Sequence, residues 1–471
     1  MKRIYTILIL ALMFGLYVSA ETNTLYFMNY LPHKLYMNPA FQNTCETFVE
    51  LPAISNIGVD ASAGVLSIND IIKYKDGQMV SFLHPSFNSS ERDALYNKLR
   101  KKNMIHEEMS VSLFGFGFRV KKKGYLTINM SLRQDVTAII PKDLFSLALY
   151  GTPDSSNVNS YNLKDTRASA NAYLDLSGGY SHKINDKWSV GGRLHLLLGL
   201  ANAEASFSSL SIDAEGKQWH ASGKGVVKTS MPGMTVKLDS AGRIDGFNFP
   251  SQFNEYIKSY KPSMGAAIDV GAVFKPLKCL SLSFSIKDAG FMVWQNVNRA
   301  NGNIDYTFKG IDVKVKENVN YGDSILKVLK ESYRLDNDKN TYVTAMNAKF
   351  YVGLEYSFLK DMMSVGILSK TALDACKLSE ELTISYNLRP CYWFSMSASY
   401  SFISGGFSTI GAGLNLRLPP FNFYVVTDYM PLYYSNEGIP YRSQRLNVQA
   451  GILLTFGCSR NKTEPMFTPS F

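Results

Sequence analysis

Apolar and polar residues alternate along most of this chain, and no other feature limits its fold as strongly. Between residues 392 and 402 every second residue is apolar, and most of the residues between them are serines. The same pattern recurs in residues 126–132, 188–198 and 446–456. Because successive side chains of a strand point to opposite faces, this alternation predicts an all-β fold whose strands have one apolar and one polar face.

The length of the strands and the order of their connections indicate a membrane barrel. The alternating segments span about 10 residues, whereas strands of soluble proteins have about 5–6. Short turns followed by long loops are typical of outer-membrane barrels, in which a closed sheet leaves no backbone group unpaired in the lipid. We therefore predict a transmembrane antiparallel β-barrel of about 14 strands, which begins at residues 57–65 and has both ends in the periplasm. The predicted short turns lie near residues 121–124, 185–186, 275–277, 359–361, 389–390 and 418–420, and the long loops comprise residues 135–170, 202–261 and 290–345.

Aromatic residues are expected in two girdles at the membrane interfaces. The outer girdle would contain Phe402 and Tyr429. The periplasmic girdle would contain the aromatic residues near the short turns, Trp188, Phe274, Phe358, Trp393, Phe421 and Tyr424.

The first 20 residues have the pattern of a secretory signal peptide. Lys2 and Arg3 precede an apolar stretch, residues 4–18, which ends in Ser19 and Ala20. The stretch is shorter than the about 20 residues of a transmembrane helix. We therefore expect cleavage after Ala20, a barrel domain in residues 53–458, a periplasmic C-terminal tail in residues 459–471, and location in the cell outer membrane.

Charge and cysteine content exclude several other classes of protein. The net charge is +10, but the basic residues are scattered, which argues against a nucleic-acid partner and favours contact with outer-membrane lipid and lipopolysaccharide. The odd number of cysteines and their spacing indicate neither a zinc site nor a disulfide framework. Cys376 and Cys391 would lie on neighbouring strands, where a disulfide is an alternative, but free thiols are favoured. The five cysteines are Cys45, Cys279, Cys376, Cys391 and Cys458.

Several short segments resemble a family of Bacteroidota outer-membrane barrels of unknown function, which is distantly similar to FadL-type transporters and to the PorV and PorP barrels of type IX secretion. These segments are residues 25–32, 51–55, 287–294 and 454–457, together with the motif Asn38-Pro39-Ala40-Phe41. The resemblance covers essentially the mature chain and brings no established substrate. It implies that residues 21–52 enter the lumen as a plug. Its more specific positions are Asn38, Pro39, Ala40, Phe41, Asp288, Gly290, Phe291 and Trp294.

Charged residues on the polar strand faces are the candidate lumen-lining residues. Because their signs are mixed, we interpret them as an internal lattice of ion pairs, with a selectivity lining for a polar solute as the alternative. The Asn38-Pro39 motif is interpreted as a fixed turn, with a hinge as the alternative. The candidate lining residues are Asp175, Arg193, His195, Asp269, Lys287, Glu355 and Arg417.

No motif indicates catalysis, a cofactor or a metal. The six histidines have no HxxxH or HxH spacing, and the sequence contains neither a Gly-x-Ser-x-Gly elbow nor a Walker loop. Gly115-Phe116-Gly117 lies within an alternating segment, where it is a strand feature. We therefore predict that the protein is not an enzyme.

The long loops allow two functional hypotheses. We predict small helices in the extracellular loops, one in residues 90–102 with Ser90 as N-cap and one in residues 323–332. The leading hypothesis is a FadL-like transport or channel barrel for a small or amphipathic solute. The alternative is a non-transporting barrel that serves as a scaffold or partner in protein secretion or surface assembly. A soluble periplasmic β-sandwich is the third class considered.

Overall fold

The computed structural model describes most of the chain between residues 22 and 458. The predicted signal peptide, the C-terminal tail and the helix predicted at residues 323–332 lie outside the described residues. None of the helices described here has the length and hydropathy needed to cross a membrane. The described residues are 22–75, 78–82, 84, 86–150, 159–215, 218–238, 240, 244–248, 263–308, 333–336, 341–374, 377–403, 407–430 and 444–458.

Fourteen antiparallel strands form a closed barrel in this part of the chain, which confirms the predicted fold class. Each strand pairs with the next one along the chain, and the last strand pairs with the first. The strands are β1 (Cys45–Glu50 and Ile57–Ser62), β2 (Lys102–Val120), β3 (Gly124–Pro141), β4 (Arg167–Lys183), β5 (Trp188–Glu215), β6 (Ser263–Leu277), β7 (Leu280–Trp294), β8 (Lys349–Phe358), β9 (Met363–Asp374), β10 (Lys377–Cys391), β11 (Phe394–Ile403), β12 (Phe407–Leu418), β13 (Phe421–Thr427) and β14 (Arg445–Cys458).

The first strand differs from the prediction because it begins earlier. Its first half, Cys45–Glu50, lies in the range that we assigned to the plug, but it pairs with both β14 and β2 and is therefore part of the wall. The connection at residues 51–56 bulges before the strand resumes at Ile57. The alternation did not reveal this half because Phe48 and Glu50 are both buried on the inner side, so its inner face mixes an apolar and a charged residue.

Burial in the wall is inverted relative to a soluble protein. In β11 the serines at positions 395, 397, 399 and 401 are buried, whereas Met396, Tyr400 and Phe402 are exposed. Leu194 in β5 is 67% exposed. A continuous exposed apolar surface is unfavourable in water, and a wall that is apolar outside and polar inside fits a lipid environment.

Long and short connections alternate as predicted from β1 to β9, but the connections from β9 to β10 and from β11 to β12, at the opposite end from the short turns, are also short. The connections at residues 121–123, 184–187, 278–279, 359–362 and 392–393 all lie at one end of the barrel, as does Pro419-Pro420. We call this the short-turn end, and the opposite end the long-loop end. The lumenal chain enters β1 at the short-turn end, where Thr47 lies opposite Phe118 and Phe456.

Small helices lie in the connections at the long-loop end, and one of them corrects a prediction. They are α1 (Ile68–Ile71), α2 (Ser89–Lys98) and α3 (Lys142–Tyr150). We predicted α2 in residues 90–102 with Ser90 as its cap, but the N-cap is Asn88. Asn88 and Glu91 form a reciprocal capping box, with bonds of 2.9 and 3.0 Å. The helix ends at Lys98 because β2 begins at Lys102.

One part of the sheet continues beyond the barrel at the long-loop end. β5 has 28 residues, and only residues 188–199 pair with β6. Its second half pairs with Gln218–Ser230, which in turn pairs with Asn298–Phe308. Residues 202–215, 218–230 and 298–308 therefore form an antiparallel extension above the rim.

The cysteines also correct the prediction. Cys45 and Cys458 form a disulfide, so the expectation of free thiols is wrong for this pair. Cys279 and Cys391 are free, which leaves the alternative pairing of Cys391 with Cys376 without support, and Cys376 lies outside the described residues. The barrel closure places Cys45 opposite Cys458, although 413 residues separate them in the sequence.

One predicted girdle residue faces inward. Trp188, Trp393 and Phe421 are on the outer surface, as expected for a girdle. Tyr424 is only 5% exposed, and its hydroxyl donates to the carbonyl of Ser55. The reason is the alternation of side chains along β13. Phe421 and Phe423 point outward, so Tyr424 points into the barrel.

Candidate functional site

Residues 22–44, which we call the lumenal segment, fill the centre of the barrel. Two short 3-10 helices, Asn23–Phe27 and Pro32–Tyr36, are buried along their whole length. Tyr26 stacks on Tyr351 of β8 with ring centroids 5.8 Å apart, and its hydroxyl donates to Ser283 of β7 at 3.1 Å. Apolar packing and hydrogen bonds to the barrel wall therefore hold the segment in place. The apolar side chains of the segment in this core are Leu25, Tyr26, Phe27, Met28, Leu31, Leu35 and Met37.

The beginning of the segment is bound by a carboxylate near the long-loop end. Asp428 accepts the backbone N–H of Asn23 at 2.6 Å and that of Thr24 at 2.8 Å. The Thr24 hydroxyl also donates to Asp428 and lies 2.6 Å from the hydroxyl of Ser399. These bonds satisfy the first backbone donors of the 3-10 helix, as a capping side chain does in an α-helix.

The Asn38-Pro39-Ala40-Phe41 motif forms a tight turn against two glycines of the wall. The side-chain oxygen of Asn38 accepts the N–H of Ala40 at 2.9 Å, and its amide donates to the Tyr26 hydroxyl at 3.2 Å. A side chain at Gly191 would overlap the Pro39 carbonyl, and one at Gly271 would overlap the Asn38 amide. The backbone thus approaches the wall closely, as the fixed-turn interpretation expects. Phe41 packs beside the ammonium of Lys34 at 4.7 Å from the ring centroid.

Three of the candidate lining residues meet in one cluster. The imidazole of His195 in β5 lies between two carboxylates, with its Nδ1 2.9 Å from Asp175 and its Nε2 3.0 Å from Asp269. All three side chains are buried. The arrangement is that of an ion-pair lattice, which was the favoured interpretation of these residues.

The cluster continues into the motif at residues 287–294. Asp288 receives both guanidinium nitrogens of Arg133 at 2.8 Å, and Lys287 lies 3.7 Å from it. Arg133 also contacts Asp175 at 3.2 Å, which joins the two groups. Sequence reasoning did not single out Arg133, although it lies on the polar face of a predicted strand and that position was the available signal.

Ligand atoms of His195, Asp269 and Asp288 lie within 4.8 Å of one another, which is the spacing of a metal site. However, both oxygens of Asp288 already accept from Arg133. A divalent cation would have to displace a bidentate guanidinium and approach Lys287. The donor set therefore fits an ion-pair lattice better than a metal centre.

The rest of the 287–294 motif supports the wall. Asp288 has a positive φ of 57°, and its N–H donates to Asp269 at 2.7 Å. The carbonyl of Gly290 accepts from Met346, and Trp294 is fully buried with its indole N–H donating to Thr344 at 2.9 Å. Phe291 is exposed on the outer surface. The motif thus gives β7 an irregular backbone at Asp288 and a buried, hydrogen-bonded side chain at Trp294.

The remaining candidate residues lie apart from this cluster. Arg193 stacks on Tyr36, with its guanidinium carbon 4.4 Å from the ring centroid, and Arg417 covers Tyr30 at 4.5 Å. Both arginines also donate to backbone carbonyls of the lumenal segment. Glu355 accepts from Arg389 at 3.2 Å and from Ser364 at 2.7 Å. Two cations of the wall therefore hold the segment, and Glu355 also contacts it by accepting from the side-chain amide of Asn29 at 3.3 Å.

Glu50 is a buried carboxylate that sequence reasoning missed. It accepts from Tyr36 at 2.7 Å, from Asn129 at 2.9 Å and from Ser112, and it lies 3.2 Å from His33. It connects the lumenal segment to β1, β2 and β3. The segment 45–50 shows no alternation that would have placed Glu50 in a strand.

Two chambers lie on either side of the lumenal segment. The upper chamber, at the long-loop end, has a volume of about 150 Å³ and is lined by Asp60, Arg100, His106, Lys349, Glu381 and Arg445, among others. The lower chamber, at the short-turn end, has a volume of about 240 Å³ and is lined by Asn29, Lys34, Lys275, Lys278, Glu355 and Arg389, among others. Between them a gap of about 50 Å³ remains beside His195 and Arg193. Most of the residues that line the three spaces are polar or charged.

Solved structures with a similar arrangement of strands are only distantly related. The Pseudomonas putida toluene transporter TodX has 9% identity and a TM-score of 0.40, covering 91% of this chain and 94% of TodX. A Pseudomonas aeruginosa FadL homologue has 11% identity and a TM-score of 0.41, covering 94% and 100%. The translocator domain of the autotransporter NalP from Neisseria meningitidis has 8% identity and a TM-score of 0.33, covering 90% and 93%. Similarities of this size do not assign a function.

The sequence comparisons identify the family. No curated protein matches the chain. A model of the Family of unknown function (DUF5723) matches residues 39–428, which include nearly the whole barrel and the Pro39-Ala40-Phe41 turn. The chain therefore belongs to the DUF5723 family.

Proposed function

We propose that the protein is an integral outer-membrane barrel that passes a small polar solute when its lumenal segment shifts. The observation that carries the proposal is the pair of chambers lined mostly by polar residues, one at each end of the barrel. The lumenal segment separates them, and non-covalent contacts hold residues 22–44 in place. On this proposal the short-turn end faces the periplasm. The outer surface would contact membrane lipid and lipopolysaccharide.

The chemistry of the lumen favours a polar solute over a hydrocarbon. Buried serines, asparagines and ion pairs cover much of the inner faces of the strands, and half of the buried residues in the apolar core of the lumen belong to the segment itself. An apolar solute in the chambers would desolvate charged groups such as Arg445 and Glu381 without replacing their bonds, which is unfavourable. A polar solute can instead form hydrogen bonds with these groups.

The disulfide limits how the segment moves. Cys45, the first residue after the segment, is bonded to Cys458 in the last strand. The segment therefore stays attached to the wall at the short-turn end. Passage would require its free part to swing away from Asp428, where Asn23 and Thr24 are bound.

An engineered disulfide tests this proposal. The hydroxyl oxygens of Thr24 and Ser399 are 2.6 Å apart, so sulfur atoms at these positions can reach bonding distance. We expect the purified wild-type protein to conduct in planar bilayers and to swell liposomes loaded with small polar solutes. The oxidised Thr24→Cys/Ser399→Cys variant should lose most of this activity and recover it when it is reduced.

Wild-type protein with reductant controls for the native disulfide, and the single variant Thr24→Cys controls for loss of the hydroxyl contact. Equal conductance of the oxidised and reduced double variant would disprove movement of the segment. A wild-type barrel that neither conducts nor swells liposomes would disprove transport.

The membrane location is tested separately. A folded barrel runs compactly on a gel until it is boiled, and it requires detergent for extraction. We expect both properties for this chain. Release into the aqueous phase without detergent would contradict the outer-membrane proposal and favour a soluble sandwich.

A scaffold for secretion or surface assembly is the second candidate, and the extension above the rim favours it. Residues 202–215, 218–230 and 298–308 present a sheet beyond the barrel wall, at the end where a partner at the cell surface would bind. On this hypothesis, purification in mild detergent brings down a stoichiometric partner. Deletion of the extension should then release the partner while the barrel remains heat-modifiable.

A further inference from the structure

We infer that the lower chamber is a binding site for a small anion, formed jointly by the lumenal segment and the barrel wall. Four cationic side chains, Lys34, Lys275, Lys278 and Arg389, face this chamber together with only two carboxylates, Glu355 and Asp361. The inference deepens the proposed function, because it names the class of solute. It can nevertheless be tested without any transport.

The two carboxylates do not neutralise the four cations. Glu355 is paired with Arg389 at 3.2 Å. Within the described residues, none of the three lysines lies within ion-pair distance of a carboxylate. The chamber therefore has an excess of positive charge. An anion is the ligand that would compensate it.

Lys34 is the decisive residue because it is buried. It is 6% exposed, and its ammonium donates to the neutral amide oxygen of Asn29 at 2.5 Å and lies beside the ring of Phe41. A buried charge is unfavourable unless an opposite charge accompanies it. Neither the amide nor the ring supplies one, whereas an anion in the chamber would.

The shape of the chamber limits the ligand to a few atoms. Its volume of about 240 Å³ is below that of drug-sized pockets, which have roughly 300–1,000 Å³. Lys278 and Cys279 lie in the turn between β6 and β7, so the chamber opens at the short-turn end. A phosphate or a short dicarboxylate fits the charge and the size. It would bridge Lys34 of the segment and the lysines of the wall.

Proton uptake gives the site a second property that can be measured. Burial lowers the pKa of Lys34 to about 7, with Glu355 opposing this effect and Lys275, Arg389 and Lys183 reinforcing it. A bound anion would raise the pKa of Lys34 again. Binding above pH 7 should therefore take up protons, and the affinity should fall as the pH rises from 7 to 9.

The experiment is titration calorimetry of the full chain in detergent, with inorganic phosphate and succinate as probes, in two buffers of different ionisation enthalpy. We expect saturable binding with proton uptake at pH 7.5. Lys34→Met should weaken binding by about tenfold or more and abolish the uptake, as expected for loss of a buried charged partner. Lys278→Gln, at the exposed mouth, should weaken it by about threefold.

Lys122→Gln is the matched control. It removes the same charge from an exposed turn at the same end of the barrel and should leave the affinity unchanged. Because Lys278 is exposed, its variant tests the site even if Lys34→Met fails to fold. Absence of saturable binding with both probes, or equal affinity in the Lys278→Gln variant and the wild type, would overturn the inference. Binding by a barrel that does not conduct would overturn the transport proposal alone.

Discussion

Single residues of the lumen are organised mainly as pairs of opposite charge, and the exceptions are informative. Asp288 has Arg133, and His195 has two carboxylates. Arg193 and Arg417 instead stack on tyrosines of the lumenal segment. Among the described residues, the ammonium of Lys34 contacts the amide of Asn29 and the ring of Phe41 and forms no ion pair. Pairs of this kind contribute little net stability when intact, but breaking one leaves a buried charge uncompensated.

Arg133→Met should therefore be strongly destabilising. The substitution leaves Asp288 and Asp175 without their guanidinium, and we expect a loss of about 3–5 kcal/mol in the free energy of unfolding. Urea unfolding in detergent micelles measures it. The control is Arg133→Met combined with Asp288→Asn, which should restore part of the loss. If the double variant is as unstable as the sum of the single variants, the pair is not coupled.

Lys34 should make the stability of the barrel depend on pH in an unusual direction. Its pKa is lowered from 10.5 to about 7 in the folded state, so the unfolded chain binds more protons between these values. Stability should rise with pH over this window, with a contribution approaching about 1.4 kcal/mol per pH unit for one proton.

The Lys34→Met variant isolates this contribution. Wild type and variant should differ in slope between pH 7 and 10 and become parallel below pH 6, as measured by urea unfolding at each pH. Equal slopes throughout would mean that Lys34 keeps its ordinary pKa.

Sequence reasoning located residues of the lumen but not their partners. Because the strand period fixes which face a side chain occupies, Asp175, His195 and Asp269 could be assigned to one face from sequence. Which of them touch depends on the register between strands, and no local pattern contains it. The burial of Lys34 could not be predicted either, because it depends on how the lumenal segment packs in the barrel. That segment shows no regular alternation of apolar and polar residues.

At the scale of elements, the wall was predictable and the first strand was not. Long alternating strands such as β11 and β14 carry their own signal. Cys45–Glu50 has six residues with an inward-facing Phe48 and Glu50, and its place is set by pairing with β2 and β14. A short strand whose position depends mainly on pairing with its neighbours has no clear pattern of alternating residues in the sequence.

The Cys45–Cys458 disulfide should contribute to the closure of the barrel. It joins the first strand to the last, across a sequence separation of 413 residues. We expect Cys45→Ser/Cys458→Ser to lower the free energy of unfolding by about 2–4 kcal/mol, which is typical of a native disulfide. Cys279→Ser, which removes a free thiol, is the control. The same denaturation midpoint for both variants would mean that hydrogen bonding between β1 and β14 closes the barrel unaided.

At the scale of the whole molecule, one physical rule accounts for the fold. Every strand must hide its backbone groups in a closed sheet and turn its apolar face to the lipid, so a chain with enough alternating strands forms a barrel. The rule does not depend on which residues fill the lumen. The fold class could therefore be predicted where the function could not. A plug in the lumen was expected from the family resemblance alone, and the contacts of residues 22–44 became apparent only in three dimensions.

The same rule makes a prediction about depth in the membrane. Leu194 lies midway along the barrel part of β5 and is 67% exposed, and Leu277 is 60% exposed at the short-turn end of β6. Leu194→Arg places a charge near the centre of the lipid and should destabilise the folded barrel in vesicles by about 2–4 kcal/mol. Leu277→Arg places it near the interface, where about 0–1 kcal/mol is expected. In a soluble protein both exposed leucines would tolerate arginine equally, because water surrounds both. The difference between the two variants, measured by heat-modifiable mobility along a urea series, therefore reports on lipid contact itself, and equal small effects would contradict a membrane-embedded wall.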